Sequence, residues 1–279
     1  MATAIAALRR LRHGALKNLG PLWIGLGRFY RFMFRALGLR FSVSTRIGRY
    51  GPFRLNGIFA FSDFENWGGG HNDAFAACIE ACRGKRCVFD IGAHVGLVAL
   101  PMASVAAPGG RVYAFEPAEA NGRLLREHTE LNEFSNIEVI PSLVGAEPRD
   151  SVPFFEMAEP TGMNALVVAK NPEAFHETRR SQITLDQFCA ARRLAPEVIK
   201  IDVEGAEIGV LRGSRQILMT HRPTIFLSVH PREIALLGEN VETLSSLIAD
   251  LGYDCRDAQG QPVSGFALRE YVLTPRGIH

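Results

Sequence analysis

From Cys87 onward, short apolar runs alternate with segments of helical period, and this alternation constrains the fold more than any other feature of the sequence. Strands are expected at residues 88–91, 111–115, 137–144, 198–203 and 224–229, with two late ones at 253–256 and 271–274. Helices are expected between them at 96–105, 121–131, 185–193, 207–219 and 241–251, with Pro101 tolerated in the first turns of its helix. A hairpin-like stretch at 152–157 leads into a polar segment running to Ser181. Strands separated by helices of this length predict a doubly wound α/β domain with a mostly parallel sheet covered on both faces.

Upstream of that pattern the chain has a different character. Eleven cations (Arg9, Arg10, Arg12, Lys17, Arg28, Arg31, Arg35, Arg40, Arg46, Arg49 and Arg54) precede the first acid, Asp63, which leaves 20 basic against 29 acidic residues from there on, a formal −9. The sequence thus divides into a basic N-terminal extension, residues 1–62, and an acidic globular part, residues 63–279. Trp23, Phe29, Tyr30, Phe32 and Phe34 interleave with the arginines. Lys17, Arg28, Arg31 and Arg35 break the apolar run of ~20 residues that a spanning helix needs. Two readings stand: an amphipathic helix lying on an anionic membrane, or one packed on the domain with its arginines solvated. No secretory signal and no nucleic-acid partner are expected. A strand-like run at 53–61, a glycine-rich loop from Trp67 to Asn72, free to fold over a ligand or else a plain connector, and a helix over 73–82 with Asp73 as N-cap lead into the main domain.

Cys78, Cys82, Cys87, Cys189 and Cys255 are odd in number and form no Cys-x-x-Cys pair, so neither a disulfide framework nor a zinc ribbon is indicated. A reducing, cytoplasmic setting fits, peripheral to a membrane if the arm binds one. No metal is inferred.

In a sheet of this kind ligands bind beyond the carboxyl ends of the strands. The first strand ends in Asp90-Ile-Gly-Ala-His-Val-Gly96, where Gly92 and Gly96 let the backbone approach a ligand. The second ends in Phe115-Glu-Pro117, with Glu116 placed 20 residues past Gly96 to accept ribose hydroxyls. A pyrophosphate-binding turn would read Gly-x-Gly-x-x-Gly, whereas here Gly92 and Gly96 are four apart with Ala93 filling a place between them, which favours S-adenosylmethionine over a nicotinamide dinucleotide. The cofactor-binding candidates are Asp90, Gly92, Ala93, His94, Gly96, Glu116, Pro117 and Ser142. Asp90 serves either the methionine end of the ligand or the shape of the loop.

These motifs, with Asn136 to Pro141, Val144-Gly145, Ile183 to Phe188, the block Ile199-Lys-Ile-Asp-Val-Glu-Gly-Ala-Glu207 and Leu211-Arg-Gly213, resemble the FkbM family of S-adenosylmethionine-dependent O-methyltransferases from about Cys87 to Pro231. The resemblance implies the class I, Rossmann-like methyltransferase fold, here a seven-stranded sheet with a reversed last strand. It also implies methylation of a sugar hydroxyl in a glycan, glycolipid or glycosylated natural product. His94, where the family more often has Asn, and Leu97-Val98-Ala99 depart from the pattern.

Lys200, Asp202 and Glu204 alternate, so an extended strand would point all three to one side. They and His230, at the end of the next strand, are the catalytic candidates, groups that take or hold the proton of an acceptor hydroxyl, the alternative being a structural Lys–carboxylate pair. His230 is either the base or a group that orients the two acids. A nicotinamide-dependent oxidoreductase and an inactive membrane-associated scaffold remain alternatives.

Overall fold

The computed structural model describes residues 20–157, 160–168 and 172–277. The basic residues Arg9, Arg10, Arg12 and Lys17 lie outside that range. Helix α1, Gly20–Ala36, is followed by a hairpin of β1, Ser42–Ile47, and β2, Tyr50–Asn56. The expected strand at 53–61 therefore begins earlier and stops at Asn56, where the Asn56 side chain accepts from the Ile58 N–H and turns the chain into a 3-10 turn. Helix α2, Phe75–Ala81, is not capped by Asp73, whose carboxylate instead receives the Arg269 guanidinium at 2.6 Å.

The central sheet has the order β11-β12-β10-β9-β3-β4-β5, from Tyr253–Asp257, Arg269–Pro275, Thr224–Val229, Val198–Ile201, Cys87–Ile91, Arg111–Phe115 and Ile137–Ile140. All neighbours pair in parallel except β12, which runs antiparallel to both β10 and β11. This is the class I methyltransferase arrangement, with its last strand reversed. The central strands β3 and β9 are buried along their whole length, which is why they read as unbroken apolar runs rather than alternating ones. The connecting helices are α3, Ala99–Val105, α4, Glu119–Leu131, α5, Leu185–Arg192, α6, Glu207–Arg212, α7, Arg215–His221, α8, Pro231–Leu236, and α9, Val241–Asp250.

Three expectations are corrected. Residues 137–144 form two strands, because Pro141 and Ser142 turn the chain out of the main sheet and β6, Leu143–Val144, joins β7, Arg149–Met157, and β8, Phe175–Ile183, in a separate small sheet. The last part of the polar segment before Ser181, from Phe175, is the second arm of that hairpin. The single helix expected over 207–219 breaks at Gly213, where a Cβ would meet the Gly145 carbonyl at 2.0 Å.

The apolar core runs across position 63 without a break: Phe34, Ile47, Phe53, Leu55 and Phe59 share a cluster with Phe75, Val88 and Leu100. The β1–β2 hairpin is also bolted to α4, since the Asn56 N–H donates to His128 Nε2 at 3.0 Å and the Arg54 N–H to Asn132 Oδ1 at 2.8 Å. His128 is fully buried, with its other ring nitrogen 2.8 Å from the Val95 carbonyl.

Candidate active site

Beyond the carboxyl ends of β3, β4, β5 and β9 lies a cleft of about 1060 Å³, open to solvent on one side. Its floor is the turn after β3. Gly92 there has φ +85°, and a Cβ would fall 1.8 Å from the Asp202 carbonyl, so only glycine allows this turn to pass the end of β9. The Gly92 and Ala93 N–H groups both donate to the Phe115 carbonyl, and Asp202 N–H donates to that of Ile91. Three strand ends are thereby locked together.

Glu116 is 4 % exposed and organises one end of the cleft. Its Oε2 accepts from the His94 N–H at 2.7 Å, and its Oε1 from the Ala118 N–H at 2.9 Å and Asn121 Nδ2 at 3.3 Å. Burial pushes its carboxyl up to about 8 against the pull of these donors. The Asn121 amide also donates to the Thr161 carbonyl, tying the connection of the small sheet to α4, while its Oδ1 is buried without a partner.

At the other end Asp202, Glu204 and His230 meet. His230 Nε2 stands 3.7 Å from Asp202 Oδ1 and 3.6 Å from Glu204 Oε2, and Nδ1 lies 2.7 Å from Glu207 Oε1. Although burial alone would lower it, the surrounding carboxylates, Glu207 first, raise His230 to about 9, so at neutral pH it is a cation. Burial raises Glu204 to about 7 despite His230. Asp202 is held below its ordinary value: burial opposes this, but Lys200 and His230 outweigh it. Glu204 has a left-handed φ of 49°, a conformation uncommon outside glycine, and it turns a side chain that is one-quarter exposed into the cleft. Fully buried Glu207 accepts from the Gly205 N–H as well as facing His230, and so positions both the loop and the ring.

Of the residues singled out in the sequence, Gly92, Ala93, His94, Glu116, Pro117, Ser142, Asp202, Glu204 and His230 line the cleft together. Three candidates do not. Lys200 turns into the sheet, 1 % exposed, where its Nζ meets Ser228 Oγ at 2.6 Å, Glu270 at 3.1 Å and Asp202 at 3.2 Å. Lys200 does share a side with Asp202, but Ser228 and Glu270 hold its ammonium inside the sheet as a structural Lys–carboxylate pair. Asp90 lies behind the turn, 1 % exposed, raised to about 7 by burial and with Oδ2 buried without a partner. Gly96 gives room to Leu125, 2.7 Å from where its Cβ would be. Asn121 escaped the sequence reading, although an amide five residues after Glu116 in the first turn of a helix is a local signal. Trp67 and Asn72, the ends of the glycine-rich loop, line the cleft too, whereas Phe154, Thr161 and Asn164 carry no such signal, because the small sheet brings them there.

The fold and this strand-end cleft define a methyltransferase of the class I type. The FkbM methyltransferase domain matches residues 90–255, and the chain belongs to that family. Among solved structures it is similar to the methyltransferase FkbM of Methylobacillus flagellatus, at 22 % identity over 69 % of this chain with a TM-score of 0.46. The chain spans only 44 % of that protein's length. It is also similar to the Bacillus cereus O-methyltransferase in complex with SAH, at 14 % identity, TM-score 0.40, over 72 % of this chain and 77 % of that one. Aeropyrum pernix fibrillarin, with natively bound S-adenosyl-L-methionine, has 14 % identity and a TM-score of 0.41 over 84 % of this chain and 88 % of that one. No curated protein matches.

S-adenosylmethionine is the cofactor of this fold family, and the residues present fit it. The bare backbone at Gly92 admits close approach, and Glu116 is a buried carboxylate on the cleft wall without a cation against it. An ionised carboxylate with three donors keeps acceptor capacity that a ribose hydroxyl can fill. Asp202, Glu204 and His230 each offer a ligand atom within 4.8 Å of the others, close enough to hold a divalent cation.

Proposed function

We propose that the protein methylates a hydroxyl oxygen, that of a sugar in a glycan, glycolipid or glycosylated natural product. The observation that carries this reading is the convergence of Asp202, Glu204 and His230 on the end of the cleft away from Glu116. Bound in the cleft, S-adenosylmethionine supplies a methyl group already activated on a sulfonium, for in-line transfer. The chain's own work is then to hold the acceptor oxygen in line and to relieve it of its proton.

Glu204 is placed to accept that proton. It faces the cleft, it is only partly solvated, and it has an affinity for a proton near neutrality. His230, already a cation, is a positioning residue: it faces both Asp202 and Glu204 and offsets their mutual repulsion, and Glu207 keeps it in place. Trp67 also lines the cleft, an aromatic plane of the kind that suits the C–H face of a sugar ring.

The test is methyl transfer from labelled S-adenosylmethionine to a panel of glycosides and lipid-linked saccharides, with the methylated position read by mass spectrometry. Transfer to oxygen is the expected result. Tight binding of a nicotinamide dinucleotide without binding of S-adenosylmethionine would overturn the reading in favour of an oxidoreductase. Cofactor binding with no transfer to any hydroxyl would favour an inactive scaffold.

A further inference from the structure

Large apolar side chains standing exposed among the described residues are unevenly distributed. Leu26, Phe29, Phe32 and Leu37, 47 to 65 % exposed, fall within twelve residues on and just after α1, while Met163, Met219, Leu236 and Leu268 stand singly along the rest of the chain. Positions 26, 29 and 32 advance by three, so their side chains form one ridge along the helix. The ridge is not a loose segment's. Tyr30 Oη donates to the Gly57 carbonyl at 2.6 Å, the Tyr30 ring meets Phe61 edge-on at 4.7 Å, and Phe34 packs on Phe41 at 5.3 Å. One flank of α1 is thus fastened to the domain while its apolar ridge faces outward. An aromatic series continues from that attachment to the cleft, with Phe59 on Phe64 at 5.6 Å, Phe64 on Trp67 at 6.2 Å, and Trp67 on the cleft wall.

The charge around the ridge selects its occupant. No carboxylate occurs in residues 1–62 against eleven cations, while the remainder carries a formal −9. Pairing two copies through α1 would oppose the two basic arms, a like-charge contact. An anionic lipid surface instead attracts the arm and repels the rest of the protein, which also fixes the orientation in which it lands.

We propose that α1 seats the protein on an anionic bilayer surface, with Phe29 and Phe32 entering the acyl boundary, and that the acceptor is a saccharide headgroup presented at that surface. Its acceptor clause rests on the hydroxyl-methylation reading; its docking clause does not. No helix among the described residues is long and apolar enough to cross a membrane, so the attachment is interfacial and reversible.

The experiment is flotation of the full chain with phosphatidylcholine vesicles and with vesicles about one-quarter phosphatidylglycerol, at about 0.1 M and about 0.5 M salt. Binding to the anionic vesicles alone, weakened at high salt, is expected. Phe29→Ser with Phe32→Ser should lower the partition coefficient ~10²-fold, because each buried phenyl side chain contributes roughly tenfold or more. Leu236→Ser with Leu268→Ser should leave it unchanged. Cofactor binding by calorimetry reports that each variant is folded; if the double variant fails that check, Phe32→Ser alone, with a loss of ~10-fold, decides.

Equal flotation of wild type and the phenylalanine variant would overturn the proposal, as would no flotation of the wild type. A wild-type dimer that the variant loses would overturn it too, and assign the ridge to a second copy. Wild-type protein that floats but does not bind S-adenosylmethionine would instead remove the methyl-transfer reading and leave the docking surface standing.

Discussion

Cofactor binding should release a proton from Glu116. In the ligand-free protein burial holds this carboxyl up to about 8, well above the ordinary 4.5, so around pH 7 it is mostly protonated. A raised carboxyl contributes stability that is fully present below about 4.5 and is lost as pH rises through about 8. Two ribose hydroxyls donating to the carboxylate favour the ionised form, so the ligand must displace the proton below that value. The dissociation constant should therefore fall as pH rises, by at most ~10-fold per unit or about 1.4 kcal/mol, and level off above about 8. Calorimetry at pH 6, 7 and 8, in buffers of low and high ionisation heat, measures both the constant and the proton count. The cofactor's own amino group titrates at about 8 as well, so the readout is the difference between wild type and Glu116→Gln. The variant should lose the Glu116 share of the pH dependence and bind weaker by about 2 to 4 kcal/mol, for lost charge-assisted bonds and an N–H left facing an amide N–H. Identical proton release by wild type and variant between pH 6 and 8 would refute the reasoning. It would mean that the His94, Ala118 and Asn121 donors already hold Glu116 ionised.

Glu204→Gln should reduce kcat at least ~10²-fold with little change in the cofactor dissociation constant, since the loss falls on the transition state; His230→Ala should do the same through the displaced acids, and near-normal turnover would free it from the mechanism. Activity should survive exhaustive dialysis against EDTA; loss restored by Mg²⁺ or Mn²⁺ would assign Asp202, Glu204 and His230 to a cation instead. His128, lowered to about 4 by burial from an ordinary 6.5, favours the folded state above pH 6.5 and loses that contribution, about 3 kcal/mol in all, as pH falls through about 4. Denaturant melts of wild type and His128→Gln across that window should show the slope only in the wild type.

The parts legible in the sequence are those whose cause is local. Strands β3, β4, β9 and β10 are buried on both faces, so their composition alone declares them, and the Gly92 turn and Glu116 sit at strand ends that the same runs define. What was not legible depends on partners far along the chain. The arm Phe175–Ile183 is polar because much of its surface meets solvent, and only its antiparallel pairing with Arg149–Met157 makes it a strand. Lys200 looked like a site residue because its partner Glu270 is seventy positions away. Asp202 and Glu204 were found by a pattern that assumed an extended chain, whereas the left-handed turn at Glu204 is what brings that side chain to the cleft.

The buried ion pair of Lys200 with Glu270 also sets an order of events during synthesis. Lys200 occupies the middle of the sheet, whereas Glu270 belongs to β12, which follows the other sheet strands among the described residues and whose carboxylate also receives the Ala74 N–H at the start of α2. Until β12 slides in between β10 and β11, a nascent chain that closed its centre would enclose an ammonium without that counter-ion and an amide without its acceptor. Asp202, on the cleft wall, pairs with that same ammonium, so the strand that neutralises Lys200 also completes the surroundings of a cleft residue.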